Sequence, residues 1–456
     1  MVGVDTTKQT GQPDWLTPEQ IDTVIVGFPD AFGRLLGKRL TDDPFVRHGV
    51  ESGMHACNYL MTVDIEMEPL AGFGLARWDQ GYGDFHACVD LRTLRRLPWL
   101  EGTALVLCDL FHKDGRPVEE SPRRVLSRQV DLLAQRGLRA LMGSELEFFL
   151  FRETYSSARQ KGYRELAPAA DYLVDYHLLQ PARDEDVLRR IRNELTAAGI
   201  PIEGSKGEWG KGQHEVNLLY AEALETADRH VLFKLGAKDI AAQQERALTF
   251  MAKWAADEAG SSFHLHISLW DASSERNLFW DDARKGGSTP FRQFFGGLMK
   301  YSRELSLFFA PTVNSYKRCQ PGSWAPTKLV WAHDNRTCGF RVIGRGNSFR
   351  VENRMPGADA NLYLAIAATL VAGIRGADEE LDCGDAYAGN AYTEESLPRL
   401  PETLEQAAKL LDGSALAREA LGADVVDYYV CAAQMEARAF REAVTDWERS
   451  RYFEQL

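Results

Sequence analysis

Two glutamates stand two positions apart in the segment GSELEFFLF. In a β-strand, Glu145 and Glu147 would share one face, because successive side chains alternate. Leu146, Phe148 and Leu150 would then pack against the other face. Two carboxylates on a half-buried face repel each other, and a divalent cation between them is the simplest remedy. Taken alone, the pair is more simply explained by an exposed sheet face that carries two solvated acids.

Two further segments, GEWGKGQHEVNLLY and FHLHISLW, carry side chains that can bind metals. Glu208 precedes a glycine-rich turn, and Glu215 lies in the strand predicted after it. His264 and His266 share one face of another predicted strand. A single histidine of this kind is more often a core or surface residue than a ligand, but a histidine beside four carboxylates is different. Oxygen ligands with one imidazole suit Mg²⁺ or Mn²⁺ better than Zn²⁺, and no cysteine is placed to compete.

Arginines in the last third of the chain supply the opposite charge. They are Arg318, Arg336, Arg341, Arg350 and Arg354. In FRVENR, two of them share a strand face with Glu352, and guanidinium groups match the geometry of carboxylates and phosphates. A structural ladder of ion pairs with Glu352 explains this strand equally well. An acidic metal cradle facing an arginine-lined wall indicates metal-assisted chemistry on a phosphorylated, carboxylate-bearing substrate.

The composition is that of a soluble globular protein. The 456 residues are 45% hydrophobic and 26% charged. The net charge of −13 argues against a nucleic-acid surface and against a polybasic membrane patch. The longest apolar stretch, residues 362–374, is too short to cross a bilayer and predicts a buried helix. No secretory signal is visible, and the seven cysteines form no CxxC pair, so we expect a cytoplasmic protein that binds neither nucleic acid nor membrane.

The elements that position these side chains indicate an α+β fold. A β-rich region ends at a turn-forming segment, 112–122, which predicts domains at 17–115 and 116–456. Strands are predicted at 22–30, 60–70, 85–91, 104–110, 140–151, 214–220, 263–270, 329–333, 340–344 and 349–355. Amphipathic helices are predicted at 122–135, 184–198, 221–250, 289–307, 358–373, 403–411 and 424–448.

Several sequence motifs of this chain resemble those of the glutamine synthetase family. The matching strings are SELEFFLF, GQHEVNLLY, GSSFHLHISLW, PTVNSYKR, NRTCGFR, VENRMPGADANLYLAIAATL and VTDWERSRYFEQL. The resemblance spans nearly the whole catalytic region. It implies an N-terminal β-grasp domain and a catalytic domain with a funnel of antiparallel strands flanked by helices. It also implies a homo-oligomer, a dodecamer of two hexameric rings in which one subunit's N-terminal domain completes its neighbour's site.

The resemblance assigns roles residue by residue, with two or more Mg²⁺ or Mn²⁺ ions per site and ATP as co-substrate. The metal near the substrate would be bound by Glu147, Glu208 and Glu215, and the metal at the nucleotide phosphates by Glu145, His264 and Glu352. Glutamate would be held by Arg318, Arg354 and the backbone at Gly260. The phosphate-stabilising arginines would be Arg336, Arg341 and Arg350, and further nucleotide contacts Glu203, His266 and Ser268. The implied catalytic residues are Arg336, Glu352 and Arg354.

The chain departs from the family at the ammonium site. Ammonia-using members carry a glutamate in a PGxEAP motif, where this chain reads PGSWAP and places Trp324. The family's second ammonium ligand is an aspartate in an FDGSS-type motif, which the corresponding segment GVESGMHACNYL lacks; His55 lies near the expected place. Tryptophan offers a flat apolar wall or a cation–π surface but cannot accept a proton.

We therefore expect an ATP-dependent ligase that joins the glutamate γ-carboxylate to an organic amine through a γ-glutamyl phosphate. The amine is ethanolamine, another monoamine or a polyamine, and the loss of negative charge favours a short amine such as ethanolamine. A polyamine would need distal carboxylates, for which Glu51, Asp64, Glu66 and Glu68 are candidates. Two alternatives stay open: an ordinary ammonia-using glutamine synthetase, and a catalytically silent family member with a scaffold or regulatory role.

Overall fold

The computed structural model describes residues 20–41, 45, 49–50 and 53–456, and its N-terminal part forms a five-stranded sheet. The strands are β1 Thr23–Pro29, β2 Leu35–Thr41, β3 Met54–Cys57, β4 Asp84–Arg96 and β5 Thr103–Phe111. They lie in the order β2-β1-β5-β4-β3. The pair β1–β5 is parallel and the other neighbours are antiparallel.

A second sheet of eight strands lies at the centre of the remaining chain. It contains β6 Leu138–Phe151, β7 Ile202–Gly207, β8 Gln213–Glu222, β9 Ala247–Thr249, β10 Phe263–Asp271, β13 Trp331–His333, β14 Phe340–Ile343 and β15 Arg350–Asn353. The order is β13-β14-β15-β10-β6-β8-β7, with β9 also pairing β6. Only β13–β14 is parallel within this described sheet. A short hairpin is formed by β11 Trp280–Asp281 and β12 Gly286–Gly287.

Helices flank this sheet. They are α1 Pro122–Gln135, α2 Tyr155–Gln160, α3 Glu185–Ala197, α4 Ala223–Gln243, α5 Thr289–Tyr301, α6 Ser315–Arg318, α7 Leu362–Asp378, α8 Leu404–Asp412, α9 Ala415–Leu421, α10 Ala423–Glu442 and α11 Asp446–Tyr452. Almost every residue of α7 up to Ile374 is buried, which confirms the predicted buried helix. The predicted α+β fold, with a β-rich N-terminal part and mostly antiparallel catalytic strands, is confirmed. Within the part of the chain that the structure describes, no helix is long and apolar enough to cross a membrane.

The predicted strand at 60–70 is wrong. Its alternating apolar residues suggested a strand, but the Oδ1 atom of Asp64 accepts hydrogen bonds from the backbone N–H groups of Glu66 and Glu68. These bonds hold a turn, and only an isolated bridge joins Val63 to Pro69. Acidic side chains that bond to nearby backbone compete with strand pairing. Asp64, Glu66 and Glu68 line neither described cavity of this single chain, and Glu51 lies outside the described residues, so the distal polyamine site stays a prediction.

Three predicted helices are too long. The helix predicted at 221–250 ends at Gln243, because Glu245 adopts a left-handed φ of 56° and the chain then enters β9. The helix predicted at 424–448 ends at Glu442, and a capping box at Thr445 starts α11 instead. The helix predicted at 289–307 ends at Tyr301.

A buried ion cluster joins the N-terminal sheet to the rest of the chain. Arg123 on α1 pairs with Asp90 at 2.7 Å and with Asp109 at 2.7 Å, both on the N-terminal sheet. The same guanidinium pairs with Asp228 on α4 at 3.0 Å, and Tyr363 donates to Asp228. The two parts therefore share charged contacts across their junction. The predicted boundary between residues 115 and 116 stays a prediction, and residues 17–19 lie outside the described part.

Candidate active site

Four neighbouring strands of the large sheet bring the predicted metal ligands together. The strands β8, β6, β10 and β15 are adjacent and antiparallel, so their side chains meet across the sheet face. Leu146, Phe148, Leu265 and Ile267 are buried on the opposite face. The register pairs are His264 with Glu145, Glu215 with Glu147, and Glu352 with His266.

The first ligand group contains Glu145, His264 and Glu352, whose ligand atoms lie within 4.8 Å of one another. The Nδ1 atom of His264 is 3.3 Å from Glu145 and 3.6 Å from Glu352. Burial opposes ionisation of Glu145, but hydrogen bonds with His264 and His266 hold its pKa far below the ordinary value. Burial is likewise outweighed at Glu352, where His264 and Arg354 lower the pKa to about 2. Both carboxyl groups are therefore anionic and ready to bind a cation.

The second ligand group contains Glu147, Glu215 and His264. Burial and the neighbouring Glu208 carboxylate raise the pKa of Glu215 to about 9, and the same two causes raise the pKa of Glu147. Buried carboxyl groups crowded in this way are the oxygen donors that a divalent cation prefers. The ammonium of Lys206 contacts Glu208, which lines the same cavity. The donor set therefore fits Mg²⁺ or Mn²⁺ in two adjacent groups that share His264.

Ser262 connects the two groups. Its hydroxyl donates to Glu147 Oε1 at 2.7 Å and its backbone N–H donates to Oε2 at 2.8 Å. The same oxygen lies 3.0 Å from Nε2 of His264. Because the hydroxyl proton is used toward Glu147, the Nε2–H of His264 is the donor in that bond. This leaves Nδ1 of His264 facing Glu145 and Glu352, the orientation that a metal ligand needs.

The predicted arginines lie against this acidic surface. Arg354 pairs with Glu352 at 2.5 Å and Arg341 pairs with it at 2.9 Å. The ion-pair ladder considered from the sequence is therefore present, and it shares Glu352 with the metal group. Arg318 is buried and donates to the backbone carbonyls of Met355 and Arg354. A Cβ atom at Gly260 would lie 2.5 Å from the Arg318 side chain, so the close approach of the two requires glycine.

Two adjoining cavities contain all but one of the predicted site residues. The first has a volume of about 600 Å³, and the second a volume of about 470 Å³. The first is lined by Glu145, Glu147, Glu203, Glu208, Glu215, Gly260, His264, Arg318, Trp324, Arg336, Arg341, Glu352 and Arg354. The second is lined by Glu145, Glu203, His266, Ser268 and Arg350. His55 lies on β3 beside His86 and lines neither cavity within this single chain, so its predicted contact with the amine stays a prediction.

An aromatic corner formed by Trp209 and Trp324 lines part of the first cavity. The two ring centroids are 5.9 Å apart and the rings meet at 63°. Trp324 adopts a left-handed φ of 64°, and its carbonyl accepts a hydrogen bond from Arg354. The backbone N–H of Trp209 donates to Glu208. The corner is thus tied both to a predicted glutamate-binding arginine and to a predicted metal ligand.

Several residues that line the first cavity were not predicted from the sequence. They are Asp175, Tyr176, Lys206, Trp209 and Ser262. Two of them had a signal, because Trp209 directly follows Glu208 and Ser262 stands two residues before His264. Asp175 and Tyr176 had none, since they come from a segment without regular periodicity. Only tertiary folding brings that segment to the cavity.

The sequence profile described as the glutamine synthetase catalytic domain matches residues 119–452. The match covers well over half of the chain, and the chain belongs to the glutamine synthetase family. Its acidic and arginine motifs resemble those of the family, and the strands β8, β6, β10 and β15 that carry most of them are adjacent and antiparallel.

Several individual members of the family are similar to this chain over nearly its whole length. The γ-glutamylethanolamide synthetase of Streptomyces coelicolor is 48% identical over 437 residues, which cover 96% of this chain and 93% of the relative. The glutamate–isopropylamine ligase of a Pseudomonas species is 35% identical and covers 97% of both chains. A solved GmaS–ADP complex is 28% identical with a TM-score of 0.83, and it covers 95% of this chain and 97% of its own. These similarities confirm the predicted family, fold and ligase class.

Proposed function

We propose that this protein is an ATP-dependent ligase that joins the γ-carboxylate of glutamate to an organic amine. The γ-carboxylate attacks the terminal phosphorus of ATP, which gives γ-glutamyl phosphate and ADP. The amine nitrogen then attacks the acyl carbon, the carbon–oxygen bond to phosphate breaks, and a γ-glutamyl amide and phosphate result. The observation that carries the proposal is Trp324 at the wall of a cavity that keeps its acidic and arginine residues.

The first step uses the metal groups and the arginines. Divalent ions bound by the two groups described above would neutralise phosphate oxygens and orient the transferring group. Arg336 and Arg341 line the same cavity and supply positive charge for that group. Buried Arg318 and Arg354, with the close backbone at Gly260, form the recognition surface for glutamate. The second cavity, lined by His266, Ser268 and Arg350, is the nucleotide side of the site.

The second step takes place against the aromatic corner. Trp324 and Trp209 provide an apolar surface and π-faces, which suit the carbon tail of an amine or its cationic end. A side chain without a carboxylate at this position gives ammonium no anionic partner and no proton acceptor there. Ethanolamine is the acceptor we propose first, because it is short and because a relative of nearly half identity is named for its amide.

Phosphate release from ATP, glutamate and Mg²⁺ tests this function across a panel of acceptors. The panel contains ammonium, ethanolamine, methylamine, isopropylamine, aniline, putrescine and spermidine, and mass spectrometry identifies each product. We expect one organic amine to support much faster release than ammonium and to yield its γ-glutamyl amide. Release with ammonium alone would show an ordinary glutamine synthetase. If no acceptor supports phosphate release, a scaffold or regulatory role would be favoured.

We also propose that the working form is a cytoplasmic homo-oligomer, a dodecamer of two hexameric rings. Large apolar side chains are exposed on the last helix, α11, and directly after it, among them Trp447, Phe453 and Leu456. Exposed apolar surface of this kind marks contacts between chains. The seven cysteines are all free thiols, which suits a reducing compartment. Mass photometry of the purified protein tests the assembly, and a monomer would contradict it.

A further inference from the structure

We infer that Asp175 is the general base that takes the proton from the acceptor amine. The inference rests on the proposed function, since it concerns the second step of that reaction. An amine with an ordinary basicity is protonated at neutral pH and cannot attack a carbonyl until it loses that proton. Trp324 occupies the position at which ammonia-using family members carry a glutamate, and its indole cannot accept a proton. The chain therefore needs a base from another part of the fold.

Asp175 lines the first cavity, the same cavity that Trp209 and Trp324 line. Seven carboxylates among the described residues line this cavity, and six of them have predicted metal or nucleotide roles: Glu145, Glu147, Glu203, Glu208, Glu215 and Glu352. Asp175 is the remaining one. Its side chain is 36% exposed, which leaves its oxygens open to a substrate and to solvent.

Backbone contacts hold the segment that carries Asp175 against the segment 207–211, which contains the predicted metal ligand Glu208. Leu173 forms a bridge with Lys211, and the backbone N–H of Tyr176 donates to the carbonyl of Gly207 at 3.3 Å. A Cβ atom at Gly207 would lie 2.3 Å from the carbonyl oxygen of Val174, so this close approach requires glycine. A catalytic group needs a fixed position, and these backbone contacts supply it on both sides of Asp175.

The surroundings of Asp175 already hold a primary alkylammonium group. The Nζ atom of Lys206 lies 3.7 Å from Asp175, contacts Glu208 and stands 4.5 Å from the centroid of the Tyr176 ring. The protonated acceptor is the same chemical group. Two carboxylates and an aromatic face are therefore arranged to attract an alkylammonium ion at this end of the cavity.

The charges around Asp175 suit proton acceptance. The groups that face it are Lys206 and Arg336 on the cationic side and Glu208 on the anionic side. Burial and the Glu208 carboxylate raise the pKa of Asp175, and Lys206 opposes them only in part. A base whose pKa is raised toward the working pH is a better proton acceptor in the transition state.

The acceptor ammonium gives one proton to the Asp175 carboxylate and becomes a neutral amine. The amine lone pair attacks the acyl carbon of γ-glutamyl phosphate, a carbon–nitrogen bond forms and the carbon–oxygen bond to phosphate breaks. The second nitrogen proton leaves with phosphate as hydrogen phosphate, and the proton on Asp175 passes to solvent.

The test compares two acceptors in Asp175→Asn. Hydroxylamine is a much weaker base than ethanolamine and is mostly neutral at neutral pH, so it needs no prior deprotonation. We expect kcat/KM for the organic amine to fall about a hundredfold, the scale of a lost general base, while kcat/KM for hydroxylamine and the KM values for ATP and glutamate change little. The loss should shrink at higher pH, where more of the amine is neutral. Asp171→Asn is the matched control, because Asp171 lies on the same segment and pairs with Arg152 at the surface.

Each result decides a separate claim. Equal losses with both acceptors would show a structural role for Asp175, and no loss with either would show no role; both results overturn the inference and leave the ligase intact. If the wild-type protein forms no amide with any organic amine, the proposed function fails and this inference fails with it. A thermal unfolding curve for each variant checks that the chain folds.

Discussion

Ser262 binds both oxygens of the Glu147 carboxylate, one with its hydroxyl at 2.7 Å and one with its backbone N–H at 2.8 Å. The same hydroxyl oxygen accepts from His264, 3.0 Å away. One small side chain therefore fixes a member of each metal group. Because metal ligands depend on such supporting hydrogen bonds, the position of Ser262 bears directly on metal affinity.

Replacing Ser262 by alanine should weaken metal binding without changing the ligands themselves. The variant keeps the backbone N–H bond to Glu147 but loses the hydroxyl bonds to Glu147 and His264. We expect the dissociation constant for Mn²⁺ to rise about tenfold to a hundredfold, the usual effect of removing a supporting partner. Calorimetric titration of the metal-free protein with Mn²⁺ measures this directly. Ser306→Ala is the control, since Ser306 is buried away from both cavities; equal affinities of the two variants would contradict the assignment.

Glu145→Ala should remove a ligand from the metal group at the nucleotide side. The variant leaves His264 and Glu352 without their anionic neighbour, and we expect phosphate release to fall by at least about a hundredfold. Glu222→Ala on the same sheet removes an exposed acid that pairs with Arg139, 3.6 Å away, and should keep full activity. Normal turnover by the Glu145 variant would overturn the metal assignment.

Arg123→Met should lower the unfolding free energy of the protein and leave the catalytic residues unchanged. The change leaves Asp90 and Asp228 buried without their shared counter-charge, and breaking a buried pair in this way typically costs about 3–5 kcal/mol of unfolding free energy. Urea denaturation measures the loss. Arg116→Met removes an exposed pair with Asp114 and should have no measurable effect, because such pairs contribute little. Similar midpoints for the two variants would show that the cluster does not hold the junction together.

The same cluster predicts an acid-sensitive contribution to stability. Burial of Asp90 opposes ionisation, but Arg92 and Arg123 outweigh it and lower the pKa of Asp90 from 3.8 to about 2. A carboxyl group with a lowered pKa contributes stability that is complete above its unfolded value and is lost as the pH falls through the folded value. The melting temperature of Asp90→Asn should therefore lie below that of the wild type at neutral pH, and the difference should shrink between pH 4 and pH 2. A constant difference over this range would mean that the charge of Asp90 is not what stabilises the fold.

Much of the site could be predicted because its side chains lie on strands of fixed period. Glu145 and Glu147 share a face by alternation alone, and His264 and Glu352 follow the same rule on their own strands. What alternation cannot supply is which strands are neighbours. The pairing of β10 with β6 and β15 places His264 between its two carboxylate partners.

The remaining errors have identifiable physical causes, some local and some distant along the chain. The acids at 64, 66 and 68 alternate as in a strand, yet Asp64 accepts bonds from the backbone of its own turn. Helix α4 ends just before Glu245, which adopts a left-handed conformation. A glutamate at that position does not predict such a conformation. Asp175 has no periodic neighbours, and its approach to the cavity depends on contacts with Gly207 that lie far along the chain. Contacts between distant residues depend on the tertiary fold, so they cannot be predicted from a short stretch of sequence.

Trp324→Glu should shift the acceptor preference toward ammonium. The glutamate side chain would place a carboxylate in the cavity wall, where it can pair with a small cation and take up its proton. The left-handed backbone at this position is no less favourable for glutamate than for tryptophan, so the exchange adds no backbone strain. We expect the ratio of kcat/KM for ammonium to that for ethanolamine to rise about tenfold or more, the scale of a single specificity contact. Trp324→Leu is the matched control: it also removes the indole but adds no charge, so it should lose activity with the organic amine and gain none with ammonium. An unchanged profile in both variants would show that Trp324 does not contact the acceptor, and a gain in both would show that the tryptophan excludes ammonium by its size alone.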